Sequence, residues 1–171
     1  MTVLTAVGVI IVIAAIATGT FFIPNKKYKS AEKLIKNQKY TQAVTAFKDL
    51  GGFRKSKGFL AEAYYNLGLQ ALNDNDENKA SDYFTKSHDA DKSSEYGKQA
   101  GAFLDYYAAT DALDKKDYDK AQQLFTSSAQ AASDFNLINK ASAGMAQVSY
   151  IKADYSTAWQ TIKNVYAKDN K

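Results

Sequence analysis

The chain has 171 residues with no cysteine, one proline, one histidine and a formal net charge of +4. Without cysteine there is no disulfide, no thiolate nucleophile and no cysteine zinc site, and the length leaves room for one helical domain beyond any membrane segment. The charge is uneven: residues 26–57 hold nine Lys and one Arg against Glu32 and Asp49, a net +8, whereas residues 58–171 hold 12 basic and 16 acidic side chains, a net −4.

Residues 3–23 (VLTAVGVIIVIAAIATGTFFI) carry no charge and nothing more polar than threonine. At a helical rise this stretch is roughly 31 Å long, the thickness of a bilayer's hydrocarbon core, and it predicts a single transmembrane anchor that ends at Pro24 and Asn25. A cleaved secretory signal is the alternative: Ala15 and Ala17 fit a cleavage site, although Met1 and Thr2 offer no basic start. A buried core helix is the third reading, an unusual one beside the amphipathic segments that follow. Residues 1–25 are therefore assigned to the anchor and 26–171 to a helical domain. Immediately after the anchor come Lys26, Lys27, Lys29, Lys33, Lys36 and Lys39, opposed only by Glu32. Lysines so close to a membrane helix stay in the cytoplasm as a rule, which puts the domain on the cytoplasmic face. Small bacterial proteins of similar layout often display such domains outside the cell, so the extracytoplasmic face stays open. The same six lysines form a basic patch suited to anionic headgroups, or simply a topology signal on a solvated helix face.

From here the sequence reads as helical hairpins. The first is expected over 27–37 and 40–50, with Ala31, Leu34 and Ile35 facing Ala43, Val44 and Phe47, and Gly51 and Gly52 stopping it. The second is expected over 57–73 and 77–90. Its first helix places Tyr64, Leu67, Gly68, Ala71 and Leu72 at i, i+3, i+4, i+7 and i+8, one apolar face. Asp74, Asn75 and Asp76 then break the helix, since their short polar side chains compete for backbone hydrogen bonds. A polar connector, 91–94, leads to a third hairpin over 96–115 and 118–132, and residues 133–134 turn the chain into a fourth over 136–152 and 155–168. In the last helix Trp159, Ile162, Val165 and Tyr166 make an apolar stripe.

The hairpins align on a step of alanine then an apolar residue four later: Ala43 and Phe47, Ala80 and Phe84, Ala121 and Phe125, Ala158 and Ile162, at intervals of 37, 41 and 37 residues. Twelve residues before each alanine stands Ala31, Gly68, Ala109 or Ala146, and three before it Tyr40, Glu77, Tyr118 or Tyr155. The extra length of the second interval is ascribed to the connector 91–94. This pattern resembles the tetratricopeptide repeat, with Leu67, Gly68, Ala80 and Phe84 at that family's internal spacing and the other units matching chiefly in their second helices. The periods are longer than usual and the closing proline is missing. The resemblance implies an all-α fold: a transmembrane helix followed by a right-handed stack of about four helix–turn–helix units (26–56, 57–94, 95–133 and 134–168).

Catalysis has little to draw on. Ser87 and Asp89 adjoin His88 in sequence and so point away from it on a helix, and the Asp74 to Asp76 turn lacks the Gly and Glu of a calcium loop at Lys79 and Thr85. No metal, cofactor or enzymatic activity is expected, and tethering together with the acidic distal units weighs against nucleic acid. What the resemblance implies is binding of a peptide or partner helix in a groove lined by first helices. The residues free of the packing pattern there are Tyr65, Asn66 and Leu69 in the second unit and Tyr106, Tyr107 and Thr110 in the third. Tyrosines at such places either anchor a partner or fill space between units. Family members that grip heat-shock chaperones use a basic and amide clamp. Asn66 matches one clamp asparagine, but Tyr28, Phe103 and Tyr107 occupy basic places, so that specificity is not implied. The expected role is a membrane-anchored adaptor or scaffold for protein partners. An envelope chaperone, or a structural accessory subunit of a membrane complex, is the alternative.

Overall fold

A computed structural model describes residues 23–169, and among them the fold is all-α, with eight helices and no strand. They are α1 (Ile23–Lys36), α2 (Tyr40–Leu50), α3 (Ser56–Asn73), α4 (Glu77–Ala90), α5 (Glu95–Asp114), α6 (Tyr118–Ala131), α7 (Phe135–Ile151) and α8 (Tyr155–Asp169). Among the described residues no helix is long and apolar enough to cross a membrane. The expected anchor lies outside them, except for Ile23 at its end. Pro24 and Asn25, expected to end the anchor helix, are helical and belong to α1.

Successive helices pack pairwise, and each odd-numbered helix also touches the next odd-numbered one: α1 on α3, α3 on α5, α5 on α7. Among the described residues no two even-numbered helices touch. The odd-numbered helices are thus enclosed on two sides, by their own hairpin partner and by the neighbouring hairpins. α3 accordingly buries Ala61 and Ala63 in addition to the expected Tyr64, Leu67, Gly68 and Ala71. A single apolar stripe in the sequence accounts for only one of those sides.

The core is a chain of three clusters, each joining one hairpin to the first helix of the next. Tyr28, Ala31, Ile35, Ala43 and Phe47 meet Ala63 of α3. Ala71, Ala80 and Phe84 meet Ala100, Ala102 and Phe103 of α5, with Leu137 of α7. Ala109, Ala112, Ala121 and Phe125 meet Ala141 and Val148 of α7. Phe47 stacks on Phe59 at 5.2 Å between centroids and Phe84 on Phe103 at 4.3 Å. Two buried hydroxyls lock hairpins internally: Ser87 donates to the Ala61 carbonyl and Ser128 to that of Ala102, each at 2.8 Å. Both stand seven residues after their aligned alanine.

The turn inside every hairpin is the same. Gln38, Asn75, Lys116 and Ala153 adopt φ of 56°, 59°, 62° and 60°. The N–H of the following residue reaches back five residues in each case, as from Asp76 to Ala71 and from Asp117 to Ala112. This is the Schellman arrangement, which satisfies carbonyls that the helix end leaves open. Asp76, Asp117 and Asp154 then cap the second helices by accepting the N–H of Lys79, Lys120 and Thr157. The first hairpin has Lys39 in that place and no side-chain cap. Gly51 ends α2 with φ 56°, as its position suggested.

The long second interval owes at most one residue to the connector. Four residues, 91–94, join α4 to α5, between the five, 51–55, that join α2 to α3 and the three, 132–134, that join α6 to α7. The rest is helical: α4 has 14 residues against 11 in α2, and α5 has 20 against 18 in α3 and 17 in α7. Its first turns carry Gln99, which accepts from the Ser133 N–H at 2.7 Å and donates to Ala131 at 3.2 Å, fastening the next connector.

Candidate functional site

Three successive first helices, α3, α5 and α7, enclose a cleft of about 410 Å³. Leu69 and Leu72 of α3, Phe103 and Tyr106 of α5 and Leu137 of α7 give it an apolar lining, and Tyr107 lines it as well. Asn73, Glu77, Asp134, Asn136 and Lys140 supply its polar groups. The volume falls within the range of ligand pockets and suits one or two inserted side chains. A depression of about 670 Å³ along α6 is larger, but every residue lining it belongs to that helix or ends it, so it has one wall only.

Local structure explains the placement. Asp134 caps α7 by accepting the Leu137 N–H at 2.7 Å, which fixes where α7 enters. Tyr106 rests against Phe125 at 5.9 Å and against Tyr107 at 5.9 Å, so α6 supports the α5 wall. The Tyr107 hydroxyl is buried without a hydrogen-bond partner. Burial first, then the Glu77 carboxylate and Tyr106, push its pKa up to about 12, so the phenol stays protonated. It keeps a donor to offer. The carboxylates of Glu77 and Asp134 against the single ammonium of Lys140 make the cleft mildly acidic.

Of the six expected groove residues, the fold brings Leu69, Tyr106 and Tyr107 together in the cleft. Tyr65 is elsewhere: half-buried, it packs against Phe84, Tyr96 and Phe103 at 5.7, 5.6 and 6.3 Å, filling the joint between the second and third hairpins. Burial, then Asp134, Tyr96 and Glu95, raise its pKa to about 12. Asn66 turns back on its own helix, donating to the Glu62 carbonyl at 2.8 Å. Thr110 is exposed and donates to the Tyr106 carbonyl at 3.1 Å. The α7 contribution, Asn136, Leu137 and Lys140, was not singled out from the sequence. Its signal was the start of the fourth first helix, which had to pack beside the third.

The lysines form a separate surface. Lys26, Lys29, Lys33 and Lys36 lie along the side of α1 opposite the buried Tyr28, Ala31 and Ile35, while Lys27 sits on its flank and Lys39 in the turn. All six are exposed. His88 serves packing: its Nδ1 lies 2.9 Å from the Gly97 carbonyl, joining α4 to α5. Among the described residues no three His, Asp or Glu side chains converge on a metal position. No protein-family model matches the chain, and no curated protein matches it.

Proposed function

We propose that the protein is a membrane-anchored interaction adaptor whose tetratricopeptide-like stack holds a peptide segment or helix of a partner protein in the cleft between α3, α5 and α7. The observation that carries this reading is the cleft itself, to which three successive first helices contribute walls with Leu69, Tyr106, Tyr107 and Leu137. Contacts between successive first helices, with none between second helices among the described residues, support the repeat reading, as do four identical turns at aligned positions. Apolar walls and a mildly acidic rim favour a segment with an aliphatic or aromatic anchor and a basic neighbour. Tyrosine walls give contact area at little entropic cost. The uncharged stretch 3–23 would hold the stack at a bilayer and raise the partner's effective concentration there.

The test is a photo-crosslinking residue at Leu69 of the full chain in its native membrane, with Gln123 on α6 as the control position. A defined adduct at Leu69 that disappears with Tyr106→Ala is expected. Equal adducts at both positions, or an adduct indifferent to Tyr106→Ala, would remove the cleft from consideration. The side of the membrane is read separately, by Ala108→Cys and a membrane-impermeant thiol reagent, since the chain has no other cysteine. Protection in intact cells is expected for a cytoplasmic stack, and labelling places it outside. A second reading, a structural accessory subunit, is favoured by one observation: Tyr150, Tyr155 and Trp159 are prominently exposed on the last hairpin.

A further inference from the structure

Each of the three core clusters joins a hairpin to the first helix that follows it, and the last hairpin offers a corresponding surface that no further helix covers among the described residues. Aligned on the repeated alanine, Tyr150 stands where Ile35, Leu72 and Leu113 stand in the first three hairpins. There those residues are buried or half-buried within clusters that include residues of the next first helix. Tyr155 stands where Tyr40 and Tyr118 are half-buried in the same way. Ile162 replaces Phe47, Phe84 and Phe125, the rings at the centres of those joints. On the last hairpin the corresponding side chains are exposed among the described residues: Tyr150 is 65% exposed, Tyr155 60% and Trp159 69%. The Tyr150 and Tyr155 rings hold each other edge to face at 5.3 Å. The nearby charges are engaged internally, Lys152 with Asp119 at 2.6 Å and Asp154 in capping α8. A hairpin that closes a repeat stack ordinarily presents a polar outer face, whereas the α7–α8 face is aromatic.

The internal joints also show what such a surface accepts. α7 turns Leu137, Ala141, Gly144 and Val148 inward, an uncharged row at i, i+4, i+7 and i+11, and a β-carbon at Gly144 would lie 2.5 Å from the Phe125 ring. In the first joint Lys48 lies over the Tyr64 ring of the incoming helix, 5.6 Å from its centroid, and Lys163 is its counterpart on the last hairpin. We propose that the outer face of the α7–α8 hairpin is a docking site for an α-helix of a partner protein that takes the place of a fifth first helix. That helix has an uncharged face of small and aliphatic residues, with an aromatic residue beside Lys163. The inference continues the stack's own unit-to-unit interface and stands apart from the cleft.

Trp159 is the only tryptophan of the chain, so the surface carries its own reporter. The experiment uses the full chain in lipid nanodiscs and, as probe, a stapled peptide of the α7 sequence, residues 135–151, which the preceding hairpin already accepts. Expected are a shift of Trp159 emission to shorter wavelength and loss of its quenching by iodide. Both should vanish with Tyr150→Asp, a change at an exposed position that leaves helical content unaltered, and with a probe carrying Gly144→Glu. Tyr106→Ala, in the cleft, should leave the response intact. No response at millimolar peptide, or a response that survives Tyr150→Asp, overturns the proposal. A response lost with Tyr106→Ala assigns the peptide to the cleft instead. An emission shift with protein concentration alone, accompanied by a doubling of mass, assigns the face to a second copy of the chain and overturns it equally.

Discussion

Gly68 faces Phe84 so closely that a β-carbon would lie 2.6 Å from the ring. The ring cannot swing aside, because Phe84 is fully buried and stacked on Phe103. Overpacking of this kind costs about 1–3 kcal/mol. Alanine regains only about 0.5–1 kcal/mol of helix propensity. Gly68→Ala is therefore expected to lower stability in denaturant titration, and Phe84→Leu in the same chain to return part of the loss. The close approach was legible, since small residues recur at Ala31, Gly68, Ala109 and Ala146. Which of its two expected roles Tyr65 plays was not. Neighbours on a helix differ by about 100° in direction, so a stripe assigned to one packing face gives no hint that adjacent residues serve another. Tyr65 fills a joint for that reason, whereas Tyr106 and Tyr107, with the same credentials, line the cleft.

Among elements, the hairpin turn shows how much a repeat comparison can predict. The left-handed position is occupied by Gln38, Asn75, Lys116 and Ala153, never by glycine. Alanine pays about 1–2 kcal/mol for that conformation, and glycine's greater freedom in the unfolded chain takes back part of the difference. Ala153→Gly, at an exposed site, is expected to stabilise the protein by about 0.5–1 kcal/mol, seen as a higher denaturation midpoint at unchanged slope. Lys39 departs from the capping pattern, since Asp76, Asp117 and Asp154 cap the other second helices. Lys39→Asp should add about 0.5–2 kcal/mol if α2 acquires the same cap. Calorimetry of that variant, with Lys39→Ala as reference, separates the cap from mere loss of positive charge at a helix start. The turns could be located from sequence because the apolar period breaks there at short polar runs, richest in Asn and Asp at 74–76. Their left-handed residue could not, because only Asn75 of the four is a residue type that favours that conformation. Element ends from the close of α1 onward were read to within a residue or two.

At the scale of the whole molecule, stability is strung along three clusters rather than gathered in one core. Phe103, stacked on Phe84, carries the joint between the second and third hairpins. Phe103→Ala is expected to cost about 3–5 kcal/mol and to divide the stack. Hydrogen exchange should then show α1–α4 and α5–α8 opening with different free energies, while in the unaltered chain α3–α6 exchange most slowly and α8 fastest. A single uniform exchange regime in the variant would mean that the joint is carried elsewhere. The all-α architecture was legible in the hydrophobic period, but the meeting of α3, α5 and α7 around one cleft was not, because that depends on how far each hairpin is rotated from the last. Among the described residues the odd-numbered helices are held to one another and the even-numbered ones are not, so the eight helices are fastened along one edge like a fan. Rotations at its three joints add together at the last hairpin, and they are also what changes the width of the cleft. With residues 3–23 anchored and the far face docked as proposed, tension between the two ends would be felt as a change in the width of the cleft. In mechanical terms the proposed assembly is a spring with its jaw in the middle.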